Sequence, residues 1–73
     1  MAHKVLAPIT GTIWKIVTSI DAEHGEEDTV IIMESMKMEM PVEAGRSGKI
    51  KEIHVKEGQP VTEGQLLFVV EES

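Results

Sequence analysis

The sequence predicts an all-β domain, a sandwich or flattened barrel of about seven or eight short strands. Short runs rich in β-branched residues are separated by glycine and proline turn signals. No long segment keeps apolar residues at helical spacing, because Gly or Pro interrupts each candidate. The two halves of the chain also repeat one apolar pattern, which indicates that a single β unit occurs twice.

The repeat is defined by a shift of 37 residues, which aligns the halves without a gap. Identical residues that meet under this shift include Ala7 with Ala44, Gly11 with Gly48, Ile13 with Ile50, Ile16 with Ile53, Glu26 with Glu63 and Glu34 with Glu71. Apolar residues also meet, namely Val30 with Leu67, Ile31 with Phe68, Ile32 with Val69 and Met33 with Val70. Each half is therefore expected to fold as the same supersecondary unit.

The strands follow from local composition. A short strand-like run follows Lys4, and residues 33–41 stand at the end of one strand-like run and before another. The clearer strands are expected at residues 11–17, 30–33, 48–55 and 66–70. Turn signals at residues 57–60 and 63–65 divide the second half, and Gly11 and Gly48 are expected to supply tight bends before their strands.

Length and composition narrow the possible classes. Seventy-three residues form one domain, 1–73, which can bury about 60% of its unfolded surface. Without cysteine, neither a disulfide nor a thiolate metal site can support the core. A net charge of −6 argues against nucleic acid as a partner. With neither a signal-peptide pattern nor a membrane-length apolar segment, we expect a cytoplasmic protein that does not bind membranes. We also expect it to be a monomer.

Residues 33–41 place one lysine, Lys37, among four methionines between two strand-like runs. A two-residue hairpin turn normally holds Gly, Asn or Asp, because its residues take positive φ. Met36 and Lys37 depart from this preference, and such departures concentrate at functional sites. We therefore predict that Lys37 is a modification site presented at a hairpin tip.

The chemistry of an exposed lysine favours a substrate over a nucleophile. Such an amine is almost fully protonated near neutral pH, and Glu34 and Glu39 would stabilise the charge. Lys37 is therefore expected to be acylated by an enzyme that brings its own chemistry. Met36 and Met38 are expected to form an exposed apolar collar that a partner recognises.

Three segments together resemble the biotinyl/lipoyl carrier-domain family. They are residues 34–38 (Glu-Ser-Met-Lys-Met), residues 7–11 (Ala-Pro-Ile-Thr-Gly) and residues 55–67. The last of these segments carries the spaced Gly-x-x-Val-x-x-Gly-x-x-Leu pattern. The resemblance covers nearly the whole chain. The chain is most similar to the stand-alone, single-domain members of the biotin carboxyl carrier type.

The resemblance implies a flattened β-barrel of two four-stranded antiparallel sheets with pseudo-two-fold symmetry, a barrel-sandwich hybrid. It also implies biotin joined by an amide to Lys37 and installed by a biotin protein ligase from biotinyl-adenylate. In such carriers biotin is carboxylated at a biotin carboxylase site and delivers the carboxyl group at a carboxyltransferase site. Glu34, Ser35, Met36 and Met38 would be recognised by the ligase or these partners, and the domain would hold the arm near both sites without catalysing a step.

Three departures from the family pattern stand out. Ser35 replaces the usual alanine, which is expected to loosen discrimination between ligases. Asp21 and Glu27 stand where the repeat would place glycines like Gly58 and Gly64, so the 18–28 loop is atypical. The gap-free repeat also leaves no space for the protruding thumb insertion of some bacterial biotin carriers.

Other candidates have less support. His3, His24 and His54 lack ligand spacing, so we expect surface histidines and no metal site. Trp14 is expected to pack in the core or at a sheet edge. A domain this shallow offers no pocket for a Ser-His-Asp triad, so no enzyme activity is expected.

Two alternative functions remain open. One is a lipoyl carrier, loaded by a lipoyl ligase and serving a dehydrogenase complex; lipoyl domains usually show Asp-Lys-Ala, whereas this chain has Met-Lys-Met. Ser35 leaves attachment of both lipoate and biotin possible. The other is an adaptor with the carrier fold that is never modified.

Overall fold

The computed structural model describes residues 1–73 as eight antiparallel strands without a helix. In chain order the strands are β1 (Ala2–Leu6), β2 (Gly11–Ile16), β3 (Glu23–His24), β4 (Thr29–Ser35), β5 (Met38–Glu43), β6 (Gly48–Ile53), β7 (Pro60–Val61) and β8 (Leu66–Glu72). They form two four-stranded sheets, ordered β1-β8-β6-β3 and β5-β4-β2-β7. The all-β prediction and the two-sheet architecture are thus confirmed. No helix long and apolar enough to cross a bilayer is present.

The internal repeat is expressed strand by strand. Under the 37-residue shift β2, β3 and β4 fall on β6, β7 and β8 with identical bounds, and the sheet orders interchange. The pairing register repeats as well, since Ile13 opposite Met33 becomes Ile50 opposite Val70. Equivalent strands are joined by loops of equal length, so neither half contains a thumb-like insertion.

The core lies between the two sheets and draws on both halves. Its buried members are Ala7, Ile13, Val30, Ile31, Met33, Val42, Ala44, Ile50, Val55, Val61, Leu67, Phe68 and Val70. Most are the apolar pairs that the shift superimposes, which explains why the repeat was visible in the sequence. No polar or charged residue is fully buried, so burial of apolar surface provides the cohesion of this domain.

Gly11 and Gly48 serve a purpose other than the tight bends expected from the sequence. Neither has a left-handed φ. A Cβ at Gly48 would lie 2.0 Å from the Glu71 carbonyl oxygen, and one at Gly11 would lie 2.6 Å from the Glu34 carbonyl oxygen. These positions require glycine because neighbouring backbones approach closely.

The last turn of the atypical 18–28 loop keeps two hydrogen bonds of its counterpart but differs in turn type. In residues 25–28 the backbone amide of the first residue donates to the side chain of the fourth, and the backbone amide of the fourth donates to the carbonyl of the first. Residues 62–65 form the same two hydrogen bonds. Gly64 has a φ of +88°, which indicates a type II turn, whereas Glu27 stays outside the left-handed region. Asp21 has a left-handed φ of +71°, as does its counterpart Gly58 at +85°.

His24 differs from the surface histidine that the sequence suggested. Its side chain is 14% exposed, and Nε2 lies 2.7 Å from the hydroxyl oxygen of Thr18. Nδ1 lies 3.6 Å from the Asp28 carboxylate. The repeat places Thr18 and His24 on Val55 and Val61, which are buried. A hydrogen-bonded polar pair therefore replaces two core valines in the first half.

Trp14 also departs from the core or edge packing expected for it. It lies at a bulge of β2, an interior strand, and is 41% exposed. Lys15 Nζ lies 5.3 Å from the centroid of its ring, within cation–π distance. Trp14 directly follows the fully buried Ile13, so the alternation of side chains along the strand turns it to the outer face of the sheet.

Candidate modification site

The hairpin between β4 and β5 closes in two residues. Ser35 pairs with Met38, which leaves Met36 and Lys37 as the loop. Their φ values are +52° and +68°. Positive φ at both central residues is the signature of a type I′ turn, whose twist matches that of the flanking strands. The predicted hairpin is confirmed, and its two loop residues have the positive φ that Gly, Asn and Asp adopt most readily.

The positive φ of Met36 should strain the backbone of this turn measurably. Met36→Asn should raise the free energy of unfolding by about 1 kcal/mol, because asparagine tolerates left-handed φ better than methionine does. Denaturant unfolding of the two proteins checks this value. Met38→Asn is the control, since Met38 is a strand residue without positive φ, and no gain is expected there. An equal gain in both variants would contradict the strain at Met36.

Lys37 is exposed and lies at the outer end of this turn. None of the five salt bridges involves it, and no side-chain hydrogen bond of the domain includes it. Its amine is therefore held by neither a side-chain hydrogen bond nor an ion pair. Such an amine is available to a second macromolecule on all sides.

The methionines around Lys37 divide into buried and exposed groups. Met33 is fully buried, as expected of a core residue, whereas Met36 is 93% exposed and Met38 68% exposed. The apolar collar expected from the sequence is present. Beside it lies a recess of about 210 Å³, lined by Ile9, Ser35, Met36, Met38, Glu39 and Met40. Met40 is half-buried in this recess.

Ser35 anchors the base of the hairpin. Its hydroxyl donates a hydrogen bond to the Thr10 carbonyl at 3.2 Å, and the residue is half-buried. The close approach of Gly11 to the Glu34 carbonyl lies at the same place. The end of β4 is thereby fixed against the β1–β2 loop, which limits movement of the turn that carries Lys37.

Glu34 and Glu39 face each other across β4 and β5, and both are exposed. Neither takes part in a salt bridge. Like charges directly opposite each other destabilise a strand pair slightly. Two carboxylates without a salt-bridge partner are therefore presented, each two residues from the lysine-bearing turn.

The position of the hairpin relative to the termini follows from β1. This strand starts beside Glu71, and the carbonyl of Met1 accepts a hydrogen bond from the Glu72 amide. It ends at the loop whose Thr10 carbonyl binds Ser35. β1 therefore runs from the end that holds both termini to the end that holds Lys37.

The structure brings all the predicted site residues to one hairpin: Glu34, Ser35, Met36, Lys37 and Met38. Sequence reasoning missed two contributors, Ile9 and Met40, which line the recess beside the collar. The signal for Ile9 was its place in the segment before Gly11, and the signal for Met40 was its place in the methionine cluster.

Comparison with known proteins gives one family. Residues 3–70 match the biotin/lipoyl family, described as "Biotin-requiring enzyme". The biotin/lipoyl attachment protein of Bacillus subtilis (strain 168) is 40% identical over 65 residues, which cover 89% of this chain and 89% of that protein. Pyruvate carboxylase of the same organism is 38% identical over 69 residues, 94% of this chain and 6% of the enzyme.

A solved structure agrees with the sequence comparison. The crystal structure of Kluyveromyces lactis urea carboxylase superimposes with a TM-score of 0.91 at 38% identity, covering 97% of this chain and 6% of that one. The chain spans only 6%, 53% and 9% of three of its curated relatives. It thus corresponds to one module of those larger proteins.

Proposed function

The chain belongs to the biotin/lipoyl family of biotin-requiring enzymes, and from this membership we propose that it is a carrier holding biotin as an amide on Lys37. One observation carries the assignment. Lys37 is an exposed amine without a side-chain partner, at the tip of a two-residue hairpin between two exposed methionines. When bound, biotin supplies a group that accepts and releases a carboxyl group.

In this proposal the domain positions the attached biotin and takes no part in the reaction itself. The type I′ turn and the Ser35–Thr10 hydrogen bond fix the base of the arm, while the lysine side chain remains free to move. A tether of this kind raises the local concentration of the attached group at every site it can reach. No step of the chemistry is assigned to a side chain of this protein.

The proposed partners are enzymes that read the hairpin. A biotin protein ligase acylates Lys37, and a biotin carboxylase and a carboxyltransferase then use the loaded arm; two of the relatives are carboxylases. The collar of Met36 and Met38 offers these enzymes apolar contact. Glu34 offers a carboxylate, and Ser35 is recognised through the shape of the hairpin base that it fixes. We place the protein in the cytoplasm as a monomer.

Lipoate is the alternative acyl group, because one relative is named for attachment of both. Intact-mass measurement on protein from cells that contain both ligases distinguishes them. We expect a mass increase equal to one biotinyl group. The same protein from cells without the biotin ligase should show no increase. A mass increase equal to lipoyl alone would overturn the biotin assignment.

A further inference from the structure

We propose that Met36 and Met38 form a reversible oxidation site whose sulfoxide state switches off recognition of Lys37. The part that concerns recognition rests on the carrier function proposed above. The five methionines of the chain differ widely in exposure: Met33 is fully buried, Met40 half-buried, and Met36 and Met38 are 93% and 68% exposed. Oxidant access therefore differs sharply within one short segment.

The sulfur chemistry of the chain is confined to methionine, because it contains no cysteine. With hydrogen peroxide, the thioether sulfur gives an electron pair to one peroxide oxygen. The O–O bond breaks, an S–O bond forms, and the other oxygen leaves as water after proton transfer. Sulfur is oxidised by two electrons and peroxide is reduced by two. Methionine sulfoxide reductases reverse the change, one enzyme for each sulfoxide epimer.

The oxidised collar would lose the property that recognition needs. A sulfoxide is polar, so two of them would convert the apolar walls beside Lys37 into hydrogen-bond acceptors. Met36, Met38 and Ile9 line one recess, so both changes fall on the same surface. A partner that buries this surface would have to desolvate the new dipoles.

The fold itself should not respond. Met36 and Met38 contribute little to the core because most of each side chain is in solvent. The methionine that does contribute, Met33, is enclosed between the sheets and inaccessible to oxidant. Oxidation of the collar is therefore a change of surface chemistry on an intact scaffold.

Met1 supplies a control within the same chain. It is 91% exposed but lies beside Glu71, at the end of β1 away from the hairpin. Met1 should oxidise as readily as the collar. A Met36→Leu and Met38→Leu double variant removes the oxidisable sulfur of the collar and retains Met1. Peroxide should therefore oxidise Met1 in this variant without changing its own rate of biotinylation.

The experiment treats unmodified protein with hydrogen peroxide and follows each methionine by peptide mass spectrometry. Met36 and Met38 should oxidise about tenfold faster than Met33. Biotin protein ligase is then assayed on the oxidised protein, and its rate should fall by about tenfold, equal to about 1.4 kcal/mol. The two sulfoxide reductases should restore that rate, and the double leucine variant should resist peroxide.

Several results would overturn the proposal. Oxidation of Met33 as fast as Met36, or an unchanged rate of biotinylation, would do so while the untreated protein is still acylated. Loss of the native circular dichroism spectrum would show damage to the fold and contradict a surface switch. Untreated protein that accepts no biotin overturns the carrier function, and the recognition claim with it.

Discussion

Lys37→Arg should abolish biotin incorporation while leaving the free energy of unfolding within about 0.5 kcal/mol of the parent. Arginine retains the positive charge and a long flexible stem, but its guanidinium is not acylated by an enzyme that uses an amine. Since Lys37 makes no salt bridge, the fold loses no ion pair. Streptavidin binding and intact mass after co-expression with biotin protein ligase measure the loss.

Lys56→Arg is the matched control, because Lys56 is also exposed and lies outside the strands. It should incorporate biotin at the parental level. Full incorporation in the Lys37→Arg variant would show that another lysine is the acceptor. If Lys37→Arg left every partner activity intact, the unmodified adaptor would become the better explanation.

Gly48→Ala should destabilise the domain by about 3 kcal/mol. The new Cβ would meet the Glu71 carbonyl oxygen at 2.0 Å and its carbonyl carbon at 2.8 Å, both backbone atoms. These atoms cannot rotate away, so β6 and β8 would have to separate where Gly48 pairs with Glu72. A domain of this length has a total stability of about 4–11 kcal/mol, so the loss should be large in chemical denaturation.

Gly25→Ala tests whether the loss of stability is specific to the close approach of β6 and β8. The nearest atom to a Cβ there is 3.8 Å away, on the Asp28 side chain. Its unfolding free energy should stay within about 0.5 kcal/mol of the parent. Gly11→Ala, the equivalent of Gly48 in the first half, has a milder clash at 2.6 Å and should fall between the two. A Gly48→Ala protein as stable as the parent would contradict the strand spacing described above.

The parts of this fold that the sequence predicted are those set by local chemistry repeated twice. Apolar residues that are equivalent under the repeat, such as Ile31 and Phe68, are both buried, because both halves follow the same apolar pattern. The hairpin at Met36 and Lys37 was visible because those residues break a rule that turns otherwise follow. Both signals lie within a few neighbouring residues or in their direct repetition.

The features that escaped the sequence depend on contacts between distant segments. The need for glycine at position 48 arises from the backbone of Glu71. The low exposure of His24 depends on its contact with Thr18 and on the pairing of β3 with β6. Trp14 lies on an interior strand, and not at a sheet edge, because β2 pairs with both β4 and β7. Each needs the pairing register before it can be reasoned about.

Peptide-level mass spectrometry of the protein co-expressed with biotin protein ligase tests the central claim most directly. The chain has six lysines, since one of its seven basic residues is Arg46. The biotinyl group should be found on the peptide that contains Lys37 and on no other. Biotin on a different lysine, with Lys37 unmodified, would contradict the assignment of this hairpin as the attachment site.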